Sequence, residues 1–266
     1  HIADFSQFVS SDKGSKGHLF YNFKKNYKGD NFDDIELDIK LEQVSDDTYL
    51  KAYKVESPII NNNSNLTNSI NLNLYDENQT INTNLNIYED LTKLNSDRYE
   101  YVPNFRFSKI INDNYSFKSK GYYKNYNTNI TEKVLINDLE FNSNLKYFDN
   151  GLTHNQKLFI KNVNSDSKNS NKFKNKDSNT LIPSFQTNYT YPLQKQTAEF
   201  NHTITPKLSI NLSTPHTKDV RRNNAIINYD NIYDINRLGI EEINEGGISA
   251  TYGYEYTKID KSNFNQ

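Results

Sequence analysis

Residues 70–88 read INLNLYDENQTINTNLNIY. Ile70, Leu72 and Leu74 occupy every second position with Asn71 and Asn73 between them, and Ile81, Leu85 and Ile87 resume the pattern after YDENQ (75–79). A period of two sends successive side chains to opposite faces of an extended strand. The polar YDENQ cluster favours a turn, because Asp and Asn bond their own backbone and tolerate positive φ. The stretch therefore reads as two strands joined in a hairpin, apolar on one face and lined with Asn on the other.

The same grammar extends in both directions. Ile35, Leu37, Ile39 and Leu41 alternate with Glu36, Asp38 and Lys40. Tyr99, Tyr101, Phe105 and Phe107 continue it, as do Leu135, Leu139, Phe141, Leu145 and Tyr147, then Ile204, Leu208, Ile210 and Leu212, then Tyr252, Tyr254 and Tyr256. SSDKGSKG, YKGDN, NNNSN, NDN, NYNTN and FDNG punctuate the runs. The predicted content is roughly a dozen strands of about 8 to 12 residues, with little helix, because no stripe spaced three and four residues apart is sustained. The polar run Asn164–Asn179 is too long for a tight turn and is expected to be a solvent loop. No internal repeat of fixed period stands out, and residues 1–266 are read as one domain.

The chain has 266 residues, with Lys+Arg 31 against Asp+Glu 33. That balance lacks the basic footprint of a nucleic-acid binder, so no nucleic-acid partner is expected. Apolar residues make up only 34%, a level compatible with disorder, but 20 Tyr and 15 Phe argue for a folded chain. Cysteine and methionine are both absent. These residues can supply no disulfide or thiolate metal site, and a chain opening on His1 reads as a segment of a longer protein. No apolar run approaches the ~18 residues of a membrane-spanning helix.

Strands this long and this polar on one face suit two architectures. One is a transmembrane β-barrel, with lipid outside, a wet lumen and every backbone group paired in closed ladders. Tyr99, Tyr101, Tyr122, Tyr123 and Tyr147 would then sit in the interfacial girdles. The other is a soluble β-sandwich or solenoid with one wet face. Periodicity alone does not separate them.

Motifs for chemistry are sparse. His1, His18, His154, His202 and His216 show no metal-ligand spacing, no nucleophile elbow or phosphate loop occurs, and no cofactor is expected. The NLT, NQT, NIT and NLS triplets are chance matches in an Asn-rich chain. VRRNN (220–224) is a small basic spot that suits an anionic headgroup or, more simply, a charged loop end.

Three segments carry a resemblance: TLIPSFQTNYTYPL (180–193), HTITPKLSINLSTPHTKD (202–219) and INYDNIYDINRLGIEEINEGGISATYGYEY (227–256). Their order and spacing resemble the barrel domain of the lipopolysaccharide-assembly protein family LptD, also called OstA. In that family a strand ending Tyr-Pro-Leu precedes one opening Thr-x-x-Pro-Lys/Arg, matched here by Tyr191, Pro192 and Leu193 and by Thr203, Pro206 and Lys207. The family's Asn-Arg-aromatic-x-Gly-x-Asp-Arg-x-Glu-Gly-Gly segment is similar to Asn236, Arg237, Glu245, Gly246 and Gly247. Leu238 stands at the aromatic position, Gly239 comes one place early, Glu242 replaces Asp and Ile243 replaces the second Arg. Residues 88–144 resemble the family's middle strands less specifically.

The resemblance implies part of an all-β, antiparallel transmembrane β-barrel in a Gram-negative outer membrane, with the first and last strands of the barrel outside the match. It implies transport without bond chemistry: lipopolysaccharide would arrive from periplasmic Lpt bridge proteins and enter the outer leaflet beside membrane lipid. The implied partner inside the barrel is an LptE-like plug lipoprotein. The Asn236–Gly247 segment would be a structural and gating loop, with Arg237 paired to Glu242 or Glu245. Alternative readings are another porin or transporter barrel, or a secreted β-rich carbohydrate-binding or adhesion protein. A hydrolase ranks last for want of an acid–base constellation.

Overall fold

Only an extended backbone sends alternate side chains to opposite faces, so runs with a period of two must form strands. The computed structural model describes the chain apart from residues 11–13, 61, 127–128, 216–224 and 262–266. The strands are β1 (Ile2–Ser10), β2 (Gly14–Tyr27), β3 (Asp34–Val44), β4 (Asn65–Asp76) and β5 (Gln79–Asp90). Next come β6 (Tyr99–Tyr101), β7 (Asn104–Ile110), β8 (Tyr115–Tyr126), β9 (Ile130–Asn142) and β10 (Lys146–Tyr147). The last five are β11 (Thr153–Lys168), β12 (Ser178–Thr190), β13 (Leu193–Gln196), β14 (Phe200–Ser213) and β15 (Gly247–Asp260). Among the described residues helix is confined to α1 (Tyr49–Ala52) and a 3-10 turn at Ser96–Arg98.

The fifteen strands form an antiparallel sheet in nearly chain order. Two of the breaks are prolines within one register. Ile87 faces Tyr101 and Asn84 faces Asn104, so the pairing with β5 crosses Val102-Pro103 without slipping. Thr190 faces Lys207 and Leu193 faces Ile204, so the pairing with β14 crosses Tyr191-Pro192 in the same way. Proline cannot donate to a ladder, and it interrupts the hydrogen bonding without shifting the chain. β10 likewise follows β9 after three residues. Counting each interrupted pair once leaves twelve passes, close to the dozen expected.

The expected loop over Asn164–Asn179 is too wide. β11 runs to Lys168 and β12 begins at Ser178, so the connection is 169–177. Polar composition reads as loop, but here the side chains pair between strands: Asn179 Nδ2 donates to Asn164 Oδ1 at 2.5 Å. Tyr122 also departs from expectation. Adjacent strand residues face opposite ways, and Tyr122 points its hydroxyl at Glu132 Oε2, 3.4 Å away, while Tyr99, Tyr101 and Tyr147 are exposed.

Many of the alternating apolar positions are exposed, although Phe20, Leu66, Phe159 and Val163 are buried. Ile70, Leu85 and Ile204 are 43–44% exposed and Tyr254 70%. On the opposite parity Gln186 is 0% exposed, and Ser209 and Lys161 are 2%. A sandwich would turn the apolar set into a dry core; this sheet leaves much of it exposed. Connections are also unequal. Antiparallel neighbours place successive connections alternately at opposite strand ends, and one end carries 28–33, 77–78, 111–114, 148–152 and 197–199. The other carries 45–64, 91–98, 169–177 and 214–246, beside two short ones after β1 and β8.

The chain divides into two compact units: residues 1–110, 118–137 and 164–179, and residues 111–117, 138–163 and 180–266. In the first, Asn side chains cross-link the polar face. Asn82 Nδ2 donates to Asn73 Oδ1 and Asn84 Nδ2 to Asn104 Oδ1, each at 3.0 Å. Asn is a poor strand former, and such cross-strand pairs compensate. The 45–64 connection closes an apolar cluster of Phe20, Tyr49, Leu50, Ile59, Leu66 and Leu91. Beside it the Asn68 carboxamide stands in for backbone, accepting from Glu42 N–H at 2.9 Å and donating to Glu42 O at 3.2 Å. Asp46 ties the connection to β2, accepting from Lys16 Nζ at 2.6 Å and from Thr48 Oγ1 at 2.7 Å. Those two donors hold its carboxyl down at about 2.

Candidate functional site

In the second unit the polar parity of β12, β14 and β15 forms rows across the sheet. Gln186 faces Asn211, which faces Ser249; Asn188 faces Ser209, which faces Thr251; Thr190 faces Lys207, which faces Gly253. Residues 225–246 lie over this face. Their first turn is built from Asn side chains: Asn228 Oδ1 accepts from Asp230 N–H at 3.0 Å, and Asn231 Nδ2 donates to Ile226 O at 2.8 Å. Such side-chain-to-backbone bonds let Asn compete with strand pairing and compact a turn.

Several buried polar groups fasten the segment to the strands. Gln186 Nε2 donates to Ser209 Oγ at 3.0 Å and to Tyr233 O at 2.9 Å. Asn244 Nδ2 donates to Ser184 Oγ at 2.6 Å. Lys161 Nζ donates to Glu241 O at 2.9 Å and to both Asp138 oxygens at 2.8 and 2.9 Å. A buried ammonium is tolerable only when its donors are satisfied and a counter-charge is near, and Lys161 has both. Ile240 and Ile243 are buried within the segment. Gly253 admits it, because a Cβ there would lie 2.4 Å from the Tyr233 hydroxyl oxygen.

The structure brings the signature residues together. Arg237 Nε donates to Glu245 Oε2 at 2.6 Å, Nη2 pairs with Glu245 Oε1, and Nη1 reaches Thr251 Oγ1 at 3.3 Å. The Glu245 carboxylate raises the already high pKa of the guanidinium, against the opposing effect of burial. The two-pronged geometry is one a lysine cannot make. Glu242 is buried, and the Asn236 carboxamide oxygen is buried without a hydrogen-bond partner among the described residues. Gly247 opens β15 at φ 94°, where glycine is favoured, while Gly239 has φ 62°. Gly246 directly precedes β15.

The strand motifs meet at one place. Tyr191 faces Pro206 across the gap between β12 and β13, and Tyr191 N–H donates to Pro206 O at 3.0 Å. Leu193 pairs with Ile204, Gln194 with Thr203, and Lys207 forms an ion pair with Glu255. Pro192 and Pro206 therefore flank one interrupted stretch of ladder. VRRNN and His216 lie outside the described residues. His18, His154 and His202 engage hydroxyl groups, and no group of three metal-ligating side chains occurs among the described residues. A groove of about 900 Å³ in the first unit is lined by Leu85, Phe105, Tyr123, Leu135 and the Lys133–Asp166 ion pair, with no convergent set of acid and base.

Sequence reasoning missed Lys161, Asp138, Gln186, Ser184 and Asn244. Gly253 was the available signal, since glycine inside a strand marks a close approach. Lys161 shares a parity with the buried Phe159 and Val163, a second signal.

Comparison with curated proteins finds no match. The family model described as LptD, LPS transport system D, matches residues 19–266, nearly the whole chain. The chain therefore belongs to the LptD family.

Proposed function

We propose that this chain is a wall section of an outer-membrane β-barrel through which lipopolysaccharide passes into the outer leaflet. Membership of the family assigns a role in lipopolysaccharide transport and assembly at the outer membrane, and that family is one of transporters and not of enzymes. The barrel placement, the route and the partners are this reading's own steps. One observation carries it: many of the alternating apolar side chains are exposed, while Asn, Gln and Ser on the opposite parity are cross-linked or covered. Such a sheet is unfavourable in water and favourable with hydrocarbon on one side and a wet lumen on the other. The unequal connections agree, since barrels of this kind join strands by short periplasmic turns and longer outer loops.

On this reading the 225–246 segment lines the lumen beside the sugar and phosphate portion of the cargo, with Arg237 and Glu245 holding its shape. Acyl chains leave laterally into the membrane. An LptE-like lipoprotein would face the same lumen, and Lpt bridge proteins would deliver from the periplasm.

The absence of cysteine from these residues gives a direct test. Single cysteines at Ile204, Leu212 and Tyr254, and at Thr203 and Thr257 on the opposite parity, are labelled with a fluorophore in the full-length protein in outer membranes. Quenching by brominated lipid at the first three and by aqueous iodide at the other two is expected. The reverse pattern would overturn the assignment.

A further inference from the structure

We infer that Lys195, His202 and Lys258 form a binding site for the phosphate of an anionic glycerophospholipid, on the apolar face at the short-turn end of β13, β14 and β15. The inference rests on the reading that this face meets lipid. Register places the three side chains in one row: Lys195 faces His202, and His202 faces Lys258. The neighbouring row toward the strand centres is Leu193, Ile204 and Tyr256, all three exposed apolar side chains. A cationic row thus borders an apolar one on the same face, the order of phosphate and acyl chain in a lipid.

The row is organised. His202 Nδ1 shares a hydrogen bond of 2.8 Å with the Tyr256 hydroxyl, and the two rings stack at 6.1 Å between centroids. Its other ring nitrogen has no hydrogen-bond partner among the described residues. Lys258 Nζ lies 3.7 Å over the Phe200 ring, a cation–π contact that fixes an ammonium without neutralising it. Neither Lys195 nor Lys258 forms an ion pair among the described residues, whereas Lys207, on the opposite face, pairs with Glu255. Of the nearby groups, Asp260 lies one row beyond, opposite Phe200, Glu199 is in the turn, and Lys261 Nζ donates to Thr197 O at 2.7 Å. A cavity of about 370 Å³ lies here, with Leu193, Lys195, His202, Ile204 and Tyr256 among its lining. Lys195 lines this cavity and Lys258 stands in the same row on the other side of His202, and two ammonium groups that form no ion pair among the described residues match one phosphate diester. The connection at this end is 197–199, and short turns mark the periplasmic side of a barrel. The headgroup there belongs to the inner leaflet, which makes the occupant a phospholipid and not lipopolysaccharide.

Native mass spectrometry of the detergent-purified full-length protein, titrated with phosphatidylglycerol, phosphatidylcholine or lipopolysaccharide, tests this. The wild type is expected to retain phosphatidylglycerol in preference to phosphatidylcholine. Lys195→Gln with Lys258→Gln should weaken that retention roughly 25-fold, from about fivefold per lysine near a membrane surface. The control Lys133→Gln, on the exposed groove of the first unit, should leave it unchanged. Equal loss in the control, no discrimination between the two phospholipids, or loss of lipopolysaccharide alone would overturn the site. If the double variant fails to fold, each single variant is read, with about a fivefold loss expected and no loss overturning the site. A wild-type protein that does not partition into bilayers would instead sink the membrane reading on which the site rests.

Discussion

Arg237 grips both carboxylate oxygens of Glu245, eight residues further along, and the same guanidinium reaches Thr251 on β15. One side chain thereby closes the 225–246 segment on itself and fastens it to the sheet. Arg237→Ala should cost the segment about 1.5–3 kcal/mol, the worth of hydrogen bonds to a charged group. Hydrogen exchange should speed up at 225–246 and stay unchanged in β12 and β14. Arg237→Lys should recover little, because it keeps the charge and loses the fork. Unaltered exchange and unaltered lipopolysaccharide delivery in Arg237→Ala would remove any role for the pair.

Gly253 and Tyr233 make a sharper test. A Cβ at position 253 would meet the Tyr233 oxygen at 2.4 Å, but the next atom of that ring only at 3.7 Å. Gly253→Ala should displace Tyr233 at a cost of about 1–3 kcal/mol, and adding Tyr233→Phe should restore most of it. Protease cleavage within 225–246 is the readout: fast in the single variant, slow in the double. Equal cleavage in both would show that Tyr233 does not seat there.

Lys161 is buried, and its partner Asp138 keeps 18% side-chain exposure. Removing one member of a buried pair costs about 3–5 kcal/mol, and the remaining exposure places Lys161→Met toward the low end. Lys161→Met combined with Asp138→Leu should be milder than the single change, since no charge is left stranded. Thermal unfolding of the full-length protein measures both, and a double variant worse than the single would contradict the pairing.

The Asp46 carboxyl sits at about 2, held down by Lys16 and then by the Thr48 hydroxyl. Its folded value lies below the unfolded value of about 3.9. Its contribution to stability is therefore complete above the unfolded value and is lost as pH falls through about 2. Carbon-13 NMR of labelled aspartate should find a midpoint near 2 for Asp46, and a midpoint near the free value would refute the cluster. In Lys16→Gln that midpoint should move up.

Strand positions were legible because period two admits one backbone: Ile70, Leu72 and Leu74 could hardly share a face otherwise. Which polar residues are buried was not legible. Gln186 and Asn188 look alike in sequence, and only the cover contributed by Tyr233 and its neighbours distinguishes them. That cover has no periodicity to read, since its geometry comes from Asn turns and long-range bonds such as Asn244 to Ser184. Asn164–Lys168 misled for the opposite reason: its composition is that of a loop, but a neighbouring strand supplies the partners that hold it extended. Tyr122 misled because nearness to a strand end does not tell which face an aromatic takes, and parity separates it from Tyr123.

The two prolines of this stretch, Pro192 and Pro206, have a further consequence. Tyr191 gives its amide hydrogen to Pro206 and gets none back, so the sheet is missing a rung at that level. A ladder creases where a rung is gone. The crease lies between β13 and β12 on one side of β14, while the pairing of β14 with β15 runs on unbroken through Pro206 and acts as the hinge line. If this face meets lipid as proposed, the crease is where the wall would adapt to a bilayer that thins or thickens around it.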